Sequence, residues 1–154
     1  VSSVEQRLAD LGLTLPQVVP PVAAYVPSVR AGDTVWVSGQ LPFVDGELPA
    51  TGKVGEDVDA TQAAVLARVA ALNALAALKA ELGDLDEVER IVKVVGFVAS
   101  APSFFGQPTV VNGASELLAA VLGDAGRHAR SAVGVAALPL DAPVEIELVA
   151  KVRA

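Results

Sequence analysis

The chain has 154 residues, of which 53% are hydrophobic, and carries a net charge of −7. That is enough apolar material for one core of ordinary domain size and excludes intrinsic disorder. The eleven scattered Lys and Arg residues of so acidic a chain disfavour a basic nucleic-acid groove, and the absence of cysteine excludes disulfides, thiolate nucleophiles and Cys-ligated zinc.

A short helix is expected at the start, capped by Ser2 or Ser3 with Glu5 or Gln6 in the capping-box position, and ended by Gly12. Pro16, Pro20 and Pro21 make residues 13–21 an extended connector. Residues 1–21 are therefore set apart from a main domain at 22–154. The first residues carry no charged-then-apolar leader pattern, and a cytoplasmic setting is the expectation. Val22–Val29 reads as a first strand and Thr34–Ser38 as a second, joined by the turn Gly32-Asp33. Phe43–Leu48 reads as a small hairpin around Asp45-Gly46, followed by a loop over 49–58.

The clearest helix runs from Asp59 to Leu82, with Val65, Val69, Leu72, Leu75, Leu78 and Leu82 at helical spacing and Gly83 as its stop. Arg68, Asn73 and Lys79 interrupt its apolar character and argue against a membrane span. Arg90–Ala99 is nearly continuous in β-branched residues and reads as an interior strand. A loop over 100–108 precedes a helix from about Thr109 to Leu122, and Ser131–Ala137 and Val144–Val152 are the last strands. Two long helices can cover only one face of such a sheet. The other face would expose more apolar surface than a monomer tolerates, which predicts a homo-oligomer.

Arg130 stands at the head of an apolar run, and its planar fork fits a carboxylate. By alternation it shares a face with Ala132, Gly134 and Ala136, which leaves room beside the guanidinium. Glu145 fits either a solvated strand face shared with Glu147 and Lys151 or a carboxylate that orients water. Tyr25 falls inside the first predicted strand. Ser38-Gly39 ends the second and could present a hydroxyl and a backbone N–H, or form a tight turn. Asn112 is a helix-start cap or a pocket residue. His128, the one histidine, reads as a surface residue or helix-end partner, and a single histidine leaves no multi-histidine metal site within the chain.

Four segments in order carry a resemblance: AAYVPSVRAGDTVWVSGQLP at 23–42, the Asp59 helix with IVKVVGFV after it, VVNGASELL at 110–118, and ARSAVGVAALPLDAPVEIELVA at 129–150. From about residue 20 onward the chain resembles the Rid (reactive intermediate deaminase, YjgF-like) family of enamine/imine deaminases. The resemblance implies a chorismate-mutase-like α+β fold, a homotrimer with clefts between subunits, and no metal or organic cofactor. It also implies hydrolysis of 2-aminoacrylate-type enamines and imines to 2-oxo acids and ammonia. In that scheme Arg130 holds the substrate carboxylate, Glu145 positions water, and Tyr25, Ser38, Gly39, Asn112 and Ala132 line the cleft. The chain departs from the family pattern at Ala132, where many members have cysteine, at His128, where proline is usual, and at Ala23-Ala24, where glycine-proline is usual. These departures mark a divergent branch. Binding of a small carboxylate without turnover is the alternative reading, and ribonuclease activity is a third, disfavoured by the charge.

Overall fold

The computed structural model describes residues 3–21 and 23–154. Its element order is α1 (Ser3–Asp10), β1 (Ser28–Ala31), β2 (Thr34–Gln40), α2 (Ala60–Leu82), β3 (Val88–Ala99), α3 (Gln107–Leu122), β4 (Ala129–Val135) and β5 (Val144–Val152), with short 3-10 turns at 85–87, 123–126 and 139–141. One five-stranded sheet has the order β1-β2-β5-β3-β4. Its β3–β4 pair is parallel and the other pairs are antiparallel. The fold is thus α+β with a single mixed sheet, as expected.

Both long helices pack on one face, α2 against β2 and β5, α3 against β3 and β4. Asp59 caps α2 by accepting the Gln62 backbone N–H at 2.7 Å, as its sequence predicts. The predicted apolar stripe of α2 is only partly its buried face. Val65 is 57% exposed, and the core side is built from Leu66, Leu75, Leu78 and a run of alanines. Small side chains let the helix lie close to the sheet, so burial follows them rather than the larger residues. By length and composition α2 could cross a membrane, but most of that window is buried in the fold. Asn73 is also buried, and its amide donates to the carbonyls of Leu41 and Phe43 at 3.0 and 3.1 Å. It pins to the helix the chain that leaves β2.

Several boundaries move. The first strand is Ser28–Ala31 rather than 22–29; Val22 lies outside the described residues, and 23–25 is bent, with the Tyr25 N–H donating to the Ala23 carbonyl. Pro27 has no N–H to give a ladder, so regular pairing begins after it. β4 starts two residues earlier than predicted because its parallel register with β3 begins at Lys93↔Ala129. The Val44↔Glu47 bridge confirms the hairpin around Asp45-Gly46.

The N-terminal helix is capped from a distance. The Asp86 carboxylate accepts the backbone N–H groups of Ser3 and Val4 at 2.8 and 3.1 Å and the Ser3 hydroxyl at 3.0 Å. The expected capping box rests in part on Ser2, which lies outside the described residues. Val4 and Leu8 join the main core, so α1 packs on the same body as the sheet.

Candidate active site

The β2–β5 ladder is irregular between Val37 and Gln40. Val37 faces Leu148 and Gln40 faces Ile146, which leaves Ser38 and Gly39 together opposite Glu147. This is a β-bulge, a device that bends a strand and re-aims its side chains. The Ser38 hydroxyl donates to the Val26 carbonyl at 2.6 Å and its N–H to the Pro27 carbonyl at 2.9 Å. Neither Ser38 donor is therefore held out to a ligand. Both tie the Tyr25 segment to the bulge, and Ser38 shapes the site instead.

Beside the bulge is a cleft of about 370 Å³ whose walls include Tyr25, Ser38, Gly39, Gln40 and Glu145. Glu145 is half-buried there, against the backbone of Gly39: a Cβ added at 39 would collide with its carboxylate. Among the described residues none donates a hydrogen bond to that carboxylate. Burial, and secondarily the charge of Glu147, push its pKa above the ordinary value. Glu145 is thus a desolvated carboxylate with an open cleft before it, not a solvated surface charge.

Arg130 is elsewhere. It pairs with Val94, which pairs with Leu148, and both of these are buried under the helices. Register partners share a face, so Arg130 projects to the helix side. Glu145 lies opposite Phe97, which pairs with Val133 on the uncovered side. The two residues are two strands and three positions apart, roughly 14 Å between Cα atoms from strand spacing and rise, and they point to opposite faces.

The Arg130 guanidinium is well partnered at its two terminal nitrogens. Its Nη1 donates to Asn112 Oδ1 at 2.7 Å and to Ser115 Oγ at 3.2 Å, and its Nη2 to the Pro108 carbonyl at 3.3 Å. Of five N–H groups, Nε–H and the second Nη2–H find no acceptor among the described residues. The Nε/Nη2 side of a guanidinium is one that matches the two oxygens of a carboxylate. Asn112 enters the site through this bond to Arg130. Ala132 packs beneath it against the core, and Gly134 is small because Gln107 and Ser100 stand over it. Some of the space expected beside the arginine is thus filled by the start of α3.

The structure therefore gathers Tyr25, Ser38, Gly39 and Glu145 into one half, and Arg130, Asn112 and Ala132 into another. Sequence reasoning gave no site role to Ser115 or to Gln40, which follows Ser38-Gly39 at the end of the second strand and whose buried side chain donates to the Ser38 carbonyl at 3.2 Å. Among the described residues no three Asp, Glu or His side chains converge as a metal site.

The family model described as "YjgF/chorismate mutase-like, putative endoribonuclease" matches residues 5–152. The chain belongs to this YjgF/Rid-like family. It is 44% identical to Protein TCP17 of Trypanosoma cruzi over 145 residues, 94% of this chain and 91% of that protein. Among solved structures it is similar to Atu1372 of Agrobacterium tumefaciens, with 48% identity, a TM-score of 0.91, and coverage of 99% of this chain and 93% of that one. It is also similar to RidA of the Antarctic bacterium Psychrobacter, with 29% identity, a TM-score of 0.62, and coverage of 88% and 94% respectively. The YjgF/Rid-like fold is the chorismate-mutase-like one, in agreement with the sheet and helices described above.

Proposed function

We propose that the protein hydrolyses 2-imino acids of the 2-aminoacrylate type to 2-oxo acids and ammonia, at a site that two copies of the chain build together in a homotrimer. The observation that carries this reading is the pairing of two incomplete halves. One is a guanidinium whose Nε–H and one Nη2–H are unspent; the other is a cleft holding a half-buried carboxylate with a raised pKa. One small molecule cannot touch both within a single chain. The uncovered sheet face, the one Glu145 lies on, carries Val29, Trp36, Val92 and Val133, each at least 40% exposed. So large an apolar surface calls for a neighbour.

The chemistry needs few groups. The enamine tautomerises to an imine, and Arg130 holds its carboxylate in two parallel hydrogen bonds. The imine takes one proton from solvent, and Glu145 accepts a proton from water as the oxygen adds to C2 of this iminium. Glu145 then gives that proton to the nitrogen, the C–N bond breaks, and the carbinolamine hydroxyl proton leaves with the departing ammonia as ammonium. One water is consumed and one ammonium is released per 2-oxo acid. A raised pKa suits a group that must take and give a proton in turn. Fixing imine and water side by side supplies much of the acceleration. Tyr25 would close the cleft over the substrate.

The test is 2-oxo acid release from iminopropionate generated in situ by a pyridoxal-phosphate enzyme. The reading requires release above the spontaneous rate, and its loss in Arg130→Ala. Release equal to the spontaneous rate would overturn it. Calorimetric binding of 2-oxobutyrate without turnover would then favour a carboxylate-binding protein.

A further inference from the structure

We propose that His128 and Ser115 are positioning residues for Arg130, forming a hydrogen-bond relay that decides which edge of the guanidinium stays open. The idea builds on the functional reading above, but its first test does not depend on it.

The relay starts at a group that cannot reverse its polarity. His128 Nδ1 lies 2.6 Å from the Gly126 carbonyl, which only accepts, so Nδ1 carries a proton. In the neutral ring Nε2 is then an acceptor, and Ser115 Oγ at 2.9 Å donates to it. With its proton committed, the Ser115 oxygen presents lone pairs to Arg130 Nη1 at 3.2 Å. Asn112, one helical turn before Ser115, takes the other Nη1 proton. Nη1 is thereby spent, and the Nε/Nη2 side remains for a ligand.

The anchor is rigid as well as directional. Gly126 is buried, and a Cβ there would collide with the Leu118 carbonyl of α3. The turn before β4 is pressed onto the same helix that carries Asn112 and Ser115.

The first measurement is NMR of the Arg130 guanidinium in the unliganded protein. The parent should show restricted rotation, with Nη1 and Nη2 resonances resolved. Ser115→Ala and His128→Leu should collapse them, while His128→Gln, which keeps an acceptor near the Nε2 position, should preserve them. A merely structural contact would change the melting temperature but would not follow acceptor chemistry. Calorimetry with 2-oxobutyrate then reads the consequence: roughly tenfold weaker binding in Ser115→Ala and His128→Leu, recovered in His128→Gln, as expected for losing a hydrogen bond to a charged group. Unchanged Arg130 resonances in Ser115→Ala and His128→Leu would overturn the relay. Collapsed resonances in a protein whose parent binds no 2-oxobutyrate would leave the relay standing and overturn the carboxylate-site reading.

Discussion

The two halves of the candidate site are held by different physical means. Around Glu145 an irregular stretch of sheet leaves a glycine where any side chain would strike the carboxylate, and burial makes that carboxylate a better proton acceptor. Around Arg130 the support is a set of hydrogen bonds to one helix, given by Nη1 and Nη2 and not by Nε. One half is made reactive by withholding partners; the other is made selective by supplying them. A base needs an unsatisfied group, and a clamp needs an oriented one.

The largest effect that sharpens this contrast should come from Glu145→Gln. Loss of the proton acceptor is expected to lower kcat by about 10²–10⁴ with KM little changed. The same variant should fold more firmly near neutral pH. Because the Glu145 pKa is raised on folding, its favourable contribution is complete below the unfolded value and is lost as pH rises through the folded one. The denaturation midpoint of Glu145→Gln should therefore improve relative to the parent from acid to neutral pH; a constant gap would argue against burial of the charge.

Arg130→Ala should follow, with kcat/KM for iminopropionate reduced roughly 10- to 150-fold, the scale of about 1.5–3 kcal/mol for charged hydrogen bonds. Arg130→Lys should recover little, because a single ammonium cannot supply the paired donors. Full recovery in the lysine variant would mean that charge alone matters. Gly39→Ala comes next. Its new methyl meets the Glu145 side chain, and overpacking of this kind costs about 1–3 kcal/mol. A lowered denaturation midpoint accompanied by lost turnover is expected, whereas lost stability with normal turnover would place the working carboxylate elsewhere.

The smallest effect lies outside both halves. Asp86 is held below the ordinary carboxylate range, first by the Ser3 backbone N–H and then, against a desolvation cost, by the Val4 N–H, the Ser3 hydroxyl and the charge of Arg7. Its contribution is present above the unfolded pKa and is lost as pH falls through the folded one. Asp86→Asn should blunt the acid limb of the stability profile by loosening α1 while leaving turnover intact. Altered turnover would tie the N-terminal helix to the site.

Much of this was legible in the chain. Asp59 and Gly83 bound α2 as written, the β-branched run over 91–98 is an interior strand, and Val144–Val152 is met residue for residue. What escaped depends on tertiary contact. The buried face of α2 is chosen by the distance to the sheet, which favours alanines over Val65. The bulge at Ser38-Gly39 is visible only once β2 is laid against β5. Alternation correctly split Arg130 and Ser131 between faces but could not say which face the helices would cover. The relay through Ser115 joins residues thirteen and fifteen positions apart, and no motif spacing announces it.

The central claim is that neither half works without a second chain. Co-expressing Arg130→Ala with Glu145→Gln tests it directly. Each variant alone should show only the reduced turnover given above, while mixed assemblies should regain about one quarter of the parent's turnover for random one-to-one mixing around a ring of identical interfaces. Confirmed mixed assemblies with no recovered turnover would contradict a site shared between copies.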